Sequence, residues 1–413
     1  MKANFNLLLL LSFLIIAGCG SGAENEQPLN QKVLLISIDG FMNTYIDRNP
    51  TPNFDRMIES GVKADRLIPV FPTKTFPNHY SQVTGLLAEH HGIISNSFPD
   101  DTLGGRFSYG PPDDSPNDER WWGGEPIWTT AERQGKTSAT MFWPGSEASI
   151  NGVRPTKWKE YDGSVDNYSR IDSVMSWLDP AGDIDADLST LYFSHVDSRG
   201  HSYGPNSAEV DQAVMNADSL IGYLWEKIDE IGLREHLNVI LVSDHGMAEL
   251  SEEKVIFLDD LVDMDSFEMI DVNPVAMLKP NEGMSDAIYN ALKEQEENYR
   301  VYRKEELPEI FGFVDHYRIP EIIMVADVPY TITTHSYFDD RGIPAGMHGY
   351  DNRAPEMAAL FIASGPAFKK GESSPPVSAL NLYELMAYIL DLEPAENDGE
   401  LYEVKRIMVD NQQ

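Results

Sequence analysis

Between residues 32 and 39 the chain reads Lys-Val-Leu-Leu-Ile-Ser-Ile-Asp, a nearly unbroken apolar run stopped by an acid and then Gly40. Short runs rich in Val, Ile and Leu predict strands buried on both faces, as in a parallel sheet covered by helices. Further runs of this kind are "TSATMFW", "STLYFSHV", "NVILVSDHG", "VAMLKP" and "MAALFIASG". Between several of them the apolar period changes to that of a helix. "TPNFDRMIESG" has Thr51 or Asn53 near its start and Gly61 past its end, the signals of helix entry and exit. "SAEVDQAVMNADSLIGYLWEKIDEIG" is a longer amphipathic stretch. The alternation predicts an α/β fold with a central, largely parallel sheet flanked by helices.

Two stretches interrupt this rhythm. "FPDDTLGGRFSYGPPDDSPNDE" is rich in Pro, Gly and Asp and predicts a long surface loop near the site. The segment between His245 and His348 predicts a smaller inserted subdomain, roughly 255–340, in which "VDHYRIPEIIMVADVPYTI" has strand character. The amino end predicts no part of the fold. Lys2 precedes the apolar run "LLLLLSFLIIAG", which is too short to span a bilayer comfortably and reads as a signal peptide over 1–18. "IAGC" resembles the lipobox of bacterial lipoproteins, with Cys19 as the lipidated residue. A polar, flexible tether over 19–31 then leads to a catalytic domain over 32–403 and a tail over 404–413. Gly20 carries no inner-membrane retention signal of the Asp type. The expected location is the cell envelope, at the outer membrane, with membrane attachment through the Cys19 lipid.

Composition narrows the chemistry. The 413 residues are 42% hydrophobic, ample for a large core, and the formal net charge is −36. So acidic a surface excludes a binder of nucleic acid polymers, which needs positive charge against the phosphate backbone. It also repels small anions at long range, so phosphate chemistry here requires concentrated local positive charge, for which metal ions are the natural source. Most of the acidity reads as solubility. Cys19 is the only cysteine, so no intramolecular disulfide forms.

In an α/β sheet ligands gather beyond the carboxyl ends of the strands. The first predicted strand ends at Asp39, "STLYFSHV" at Asp197 with His201 four residues on, and "NVILVS" at Asp244 and His245. His348 lies in a Gly-flanked turn, "GMHGYDN". Carboxylate and imidazole are zinc ligands. Each residue alone has an ordinary structural explanation, as a turn cap or an ion pair, but their joint placement does not. In "FPTKTFPNHYSQVTGLLAEHHGIISN", Thr75 follows Lys74 and precedes His79, His90 and His91. A threonine hydroxyl is a weak nucleophile until a base or a metal activates it. The three histidines read as packing around a nucleophile loop, because a metal removes the need for a base. His316 and His335 read as structural or surface residues, and His195 receives no role.

Together, "TFPNHYSQVTGLLAEHHGIISN", "GGEPIWTTAERQG", "FWPGSE", "DSRGHSYGP", "SDHGM" and "HGYDN" resemble, in order and spacing, the nucleotide pyrophosphatase/phosphodiesterase family of the alkaline phosphatase superfamily. The resemblance runs from Val33 to about Leu401. It implies two Zn2+ ions: Asp39, Asp244 and His245 match the ligands of the zinc that also binds Thr75, and Asp197, His201 and His348 match those of the second. Thr75 matches the nucleophile, and Asn96 the residue that hydrogen-bonds a phosphoryl oxygen, with a backbone N–H near Thr75 as a further donor. The implied reaction has two displacements at phosphorus through a nucleotidyl-threonine ester, with overall retention. Two metals about 3.5–4 Å apart clamp such an in-line displacement.

The same resemblance implies small-molecule nucleotide substrates: NTPs, dinucleotides or nucleotide sugars. Phe76, Trp143, Tyr161 and Tyr192 match positions lining the nucleotide pocket, and Glu147 one that meets the base edge through water. Taken alone, each aromatic reads as core. A sulfatase is excluded, because Thr75 lacks the modifiable Cys or Ser motif. Two alternatives remain: a diesterase for lipid head groups or a phosphomonoesterase, and a noncatalytic surface lipoprotein. The sequence carries no signal for an oligomeric state.

Overall fold

The computed structural model describes residues 31–109 and 115–409. The segments expected as signal peptide and tether, with the expected lipidation site Cys19, lie outside the described residues up to residue 30.

Twelve strands matter here: β1 Lys32–Ile38, β2 Gly61–Ala64, β3 Ser138–Met141, β4 Lys157–Trp158, β5 Leu188–Phe193, β6 Leu237–Val242, β7 Phe267–Asp271, β8 Val275–Pro280, β9 Tyr299–Arg303, β10 Ile322–Ala326, β11 Phe361–Ser364 and β12 Glu372–Ser374. Eight of them form the main sheet, in the order β12-β2-β11-β6-β1-β5-β3-β4. All its pairings are parallel except the two made by β11. This is the α/β architecture expected, with a central, mostly parallel sheet.

β1 shows why. Every residue of it is buried. Val33 and Leu35 enter one core, while Leu34, Ile36 and Ile38 enter another on the opposite face. Alternating side chains point to opposite faces, so a strand apolar at nearly every position demands cover on both. Helix α1, Pro52–Glu59, and the long helix Ala208–Glu230 supply Phe54, Met57, Val214 and Leu224 to the second face.

The run "VAMLKP" became β8, but not in the main sheet. It pairs antiparallel with β7 and β10 in a separate four-stranded sheet, ordered β7-β8-β10-β9. Val275, Met277, Ile323 and Val325 on one face join the core under the main sheet, and Ala276, Leu278, Ile322 and Met324 fill a third core. The excursion expected as loop contains a hairpin, Ser97–Asp100 with Gly105–Ser108, whose Phe98 and Phe107 are buried. The tail expected from residue 404 starts inside the helix Leu401–Lys405, and Val404, Ile407 and Met408 are buried. Their apolar side chains carry the packed domain on to Met408. Among the described residues no helix is long and apolar enough to cross a membrane.

Candidate active site

The site lies past the carboxyl ends of β1, β5 and β6. Asp39 follows β1, and Ser243, Asp244 and His245 follow β6. β5 does not end at Asp197 as expected: the chain turns at Ser194 into the helix His195–Tyr203. Asp197 and His201 are four apart, so they share one face of that helix, with His201 Nε2 3.3 Å from Asp197 Oδ1. The Asp197 N–H donates to the Asp39 carbonyl (3.0 Å), and the Gly40 N–H to Asp244 Oδ1 (3.1 Å). Gly40 has φ +67°, and a Cβ there would sit 2.8 Å from the Asp197 Cα. Glycine at 40 is what lets the two ligand-bearing segments touch.

The imidazoles are oriented alike. His201 Nδ1 faces the Gly346 carbonyl, His245 Nδ1 the Gly246 carbonyl and His348 Nδ1 the Thr73 carbonyl, at 2.8–2.9 Å. A carbonyl only accepts, so each Nδ1 carries a proton and each ring turns its Nε2 toward the carboxylates, the atom a metal would take in place of a second proton. Asp39, Asp244 and His245 form one group able to hold a metal ion, and Asp197, His245 and His348 another, with the ligand atoms of each within 4.8 Å of one another. His245 and His348 stack with centroids 3.5 Å apart, and His201 lies 5.1 Å from His348.

Asp39 Oδ1, Asp197 Oδ1 and Asp244 Oδ2 are buried without a hydrogen-bond partner. Buried carboxylate oxygens without a hydrogen-bond donor are costly, and three gathered around imidazole Nε2 atoms fit a cation centre. Burial pushes the His245 imidazole down, but the neighbouring Asp244 outweighs it and raises it, so acids and imidazoles lean on one another's charge. Burial pushes the Asp39 carboxyl up, with Asp244 and Asp197 adding repulsion. Burial also pushes Asp197 up, against the pull of His201 and His245. Burial acts the same way on Asp244, but the nearby imidazoles, His245 first, outweigh it and hold that acid down. His348 is pushed well down by burial and by His245.

Thr75 was expected in a loop and instead opens the helix Thr75–Thr84. Asn78 makes that start. Its Oδ1 accepts the Val70 N–H, and its Nδ2 donates to the carbonyls of Val70, Pro72 and Lys74. Thr75 Oγ1 lies 3.4 Å from His245 Nε2. The Phe76 N–H, a candidate donor to a phosphoryl oxygen, is engaged by Asn96 Oδ1 at 2.8 Å. Only an acceptor can face an N–H, so the Asn96 Nδ2 is left with its two donors. His79 bridges the Thr75 carbonyl and Ser37 Oγ, and the Trp143 indole rests edge-on against it. His90 pairs with Asp398, and His91 lies between Ser81 and Ile93. Lys74 does not reach for phosphate: its ammonium is ion-paired with Asp271.

A cavity of about 760 Å3 opens beside Thr75, lined by Phe76, Asn96, Trp143, Glu147, Tyr161 and Tyr192 among others. Their parts differ. Tyr161 is half exposed. Trp143 is buried, its indole N–H spent on the His79 carbonyl. Tyr192 donates its hydroxyl to Asp39 Oδ2 at 2.6 Å, tying the aromatic wall to the carboxylate cluster. Glu147 accepts the Tyr161 N–H at 2.8 Å, and burial pushes its carboxyl up. The sequence reading missed Tyr109 and Phe142. Tyr109 stacks on Phe76 with centroids 5.4 Å apart, and Phe142 meets Tyr161 edge-on at 5.2 Å. Tyr109 sits in the excursion expected near the site, but nothing in its own neighbourhood marked that one ring.

An acid-and-imidazole cluster beside a helix-start threonine, at the strand ends of a mostly parallel sheet, is the arrangement of a metal-assisted hydrolase. The chain belongs to the type I phosphodiesterase/nucleotide pyrophosphatase family, whose model matches residues 33–351. It is 37% identical over 403 residues to human ectonucleotide pyrophosphatase/phosphodiesterase family member 5, covering 97% of this chain and 83% of that protein. It is 36% identical over 406 residues to the human bis(5'-adenosyl)-triphosphatase ENPP4, covering 97% and 87%. Among solved structures it resembles murine ectonucleotide pyrophosphatase/phosphodiesterase 5, an inactive threonine-to-alanine variant in complex with AMP. There the TM-score is 0.87 and the identity 36%, over 92% of this chain and 100% of that one.

Proposed function

We propose that this enzyme hydrolyses the phosphodiester and pyrophosphate bonds of small nucleotides, releasing a nucleoside monophosphate, with Thr75 as nucleophile. The observation that carries this is the convergence on Thr75 of orphaned carboxylate oxygens, imidazole Nε2 atoms and an aromatic cavity. We assign one zinc to Asp39, Asp244 and His245 with Thr75, and a second to Asp197, His201 and His348; the structure groups His245 rather than His201 with Asp197 and His348, and His201 enters the assignment through its Nε2 3.3 Å from Asp197 Oδ1. When bound, zinc would supply Lewis acidity at Thr75, easing loss of a hydroxyl proton near neutral pH and offsetting negative charge as it develops.

The chain's own residues do the rest. The helix start held by Asn78 aims Thr75 Oγ1 along the cluster. Phe76 and Tyr161 take the base, and Asn96 Nδ2 donates to a nonbridging oxygen as charge grows there. In the first displacement a Thr75 Oγ–phosphorus bond forms as the bond to the leaving oxygen breaks. In the second, water adds its oxygen to phosphorus, and Thr75 Oγ departs and is reprotonated. Two inversions give retention. An inactive threonine-to-alanine relative that holds AMP supports the roles of both the threonine and the nucleotide.

The test is product analysis of the zinc-loaded enzyme with ATP, with Thr75→Ala as control. AMP plus pyrophosphate, lost in the variant, supports the reading. ADP plus phosphate replaces it with a phosphomonoesterase, and no turnover of any nucleotide turns the search to lipid head-group diesters.

We also propose, from residues 2–20 of the sequence, an exported lipoprotein anchored at the outer membrane through Cys19. Labelling with radioactive palmitate in a bacterial host tests it: label on the wild type and none on Cys19→Ser is expected, and equal label on both contradicts it.

A further inference from the structure

The end of β7, Asp271, and the turn 272–274 that leads into β8 belong to the four-stranded sheet, yet they reach the site. The Asp271 carboxylate accepts two donors, Lys74 Nζ and Ser95 Oγ. Lys74 is the residue before Thr75, and Ser95 the residue before Asn96. One carboxylate therefore fastens the segment that carries the nucleophile to the segment that carries the phosphoryl-oxygen donor. The ion pair is largely buried, with 9% of the Lys74 side chain and 15% of that of Asp271 exposed. Asp271 Oδ1 also takes the Val272 N–H at 2.8 Å, which fixes its rotation.

The same turn reaches a third part of the site. Gly349, next to His348, has φ +114°, and a Cβ there would lie 2.6 Å from Pro274 Cδ and 3.3 Å from Lys74 Cε. The Gly349 N–H in turn donates to Thr73 Oγ1, two residues before Thr75, at 2.9 Å. Asn273 Oδ1 anchors the turn by accepting the Thr331 hydroxyl at 2.7 Å.

A buried ion pair is weak evidence for stability, since a well-packed apolar pair of the same volume often does as well. What it adds is direction, because charge-assisted hydrogen bonds hold their partners at set angles and short distances. Reactions of this kind need such setting: misplacing a reacting group by about 1 Å costs on the order of 10²-fold in rate.

We propose that Asp271 is a positioning residue for the reaction: through Lys74 and Ser95 it holds Thr75 and Asn96 at the spacing that in-line attack requires. On this account the four-stranded sheet is part of the catalytic frame. The proposal rests on the roles given above to Thr75 and Asn96.

Asp271→Asn in the zinc-loaded full chain is the test, with Glu268→Gln as control. Glu268 is exposed on the same strand and pairs with Lys279. Two readouts are taken. With bis(p-nitrophenyl) phosphate as probe, kcat of Asp271→Asn falls on the order of 10²-fold, while KM and bound zinc stay as in the wild type and the control is unchanged in all three. By hydrogen exchange, the amides of residues 75–78 and 95–97 exchange faster while those of β1 and β6 do not. Unchanged kcat in Asp271→Asn overturns the proposal. So does exchange that rises across β1 and β6 as well, since that marks a residue needed only for folding. If the wild type hydrolyses no diester, the functional reading fails, and the exchange arm alone decides whether Asp271 couples the two segments.

Discussion

The Phe76 N–H donates to Asn96 Oδ1 over 2.8 Å. This bond fixes which end of the Asn96 amide can serve a substrate, and it ties that amide to the residue after Thr75. Asn96→Ala removes the donor and the tie together. The expected loss in kcat is about 10²–10³-fold, the usual effect of deleting one such donor. Asn96→Asp keeps the acceptor for Phe76 but brings a negative charge toward an anion, so it is expected to fall at least as far. Steady-state kinetics on both variants check this, and Asn96→Asp near wild-type rate would refute the assignment.

Metal removal follows from the orphaned oxygens of Asp39, Asp197 and Asp244. EDTA is expected to abolish activity and zinc to restore it. Zinc bound only by the folded state is expected to stabilise it by about 4 kcal/mol per site when free metal exceeds Kd about 1,000-fold. Scanning calorimetry of chelated and zinc-loaded protein is expected to show Tm rising with zinc. In Asp244→Asn most of that rise is lost. A Tm indifferent to zinc would contradict the metal reading.

The aromatic wall makes a separable prediction. Phe76 and Tyr161 line the cavity, and Tyr109 stacks on Phe76. Base stacking on an aromatic side chain is worth about 1–3 kcal/mol. In a Thr75→Ala background, chosen because an inactive threonine-to-alanine variant of the murine relative holds AMP, Phe76→Ala is expected to weaken AMP affinity by that amount in titration calorimetry. Unchanged affinity would move the base elsewhere in the cavity.

His91 gives the stability of the protein a pH dependence. Ile93 N–H donates to its Nδ1 (3.1 Å), so that nitrogen is unprotonated, and Nε2 faces Ser81 Oγ. Burial, with His316 adding to it, lowers the His91 pKa to about 3. An unfolded histidine titrates near 6.5. Between those values the unfolded chain binds a proton that the native state refuses, so this contribution is full above pH 6.5 and is lost as pH falls toward 3. The slope is about 1.4 kcal/mol per pH unit in that window. Urea unfolding at pH 7 and pH 5 is expected to show a smaller loss for His91→Gln than for the wild type. Equal losses would contradict it.

Much of this was legible in the sequence because it depends on local pattern. β1, β3, β5, β6 and β11 are short apolar runs, and the acids that follow two of them, Asp39 after β1 and Asp244 after β6, fall where an α/β sheet gathers its ligands. What was misread depends on side-chain contacts and boundaries that apolar patterning does not mark, some local and some distant in sequence. Thr75 opens a helix because Asn78 gathers the carbonyls before it, and a Pro-flanked segment gives no periodic sign of that. Asp197 sits on a helix because the chain turns directly after Phe193, a boundary that apolar runs do not mark. β8 reads as a buried strand like the others, yet its partners, not its composition, put it in an antiparallel sheet. Asp271 and Lys74 are 197 residues apart, and neither carries a local signature of the other.

The most direct test of the central claim is to look for the nucleotidyl group on Thr75. The zinc-loaded enzyme is mixed with excess ATP, acid-quenched within the first turnovers, and digested for mass spectrometry. The account predicts an AMP ester on the peptide that contains Thr75, at a level that chases away once ATP is exhausted. Brisk turnover in which no quench time shows an adduct on that peptide, together with inversion at a chiral phosphorus, would mean direct attack by water and would contradict it.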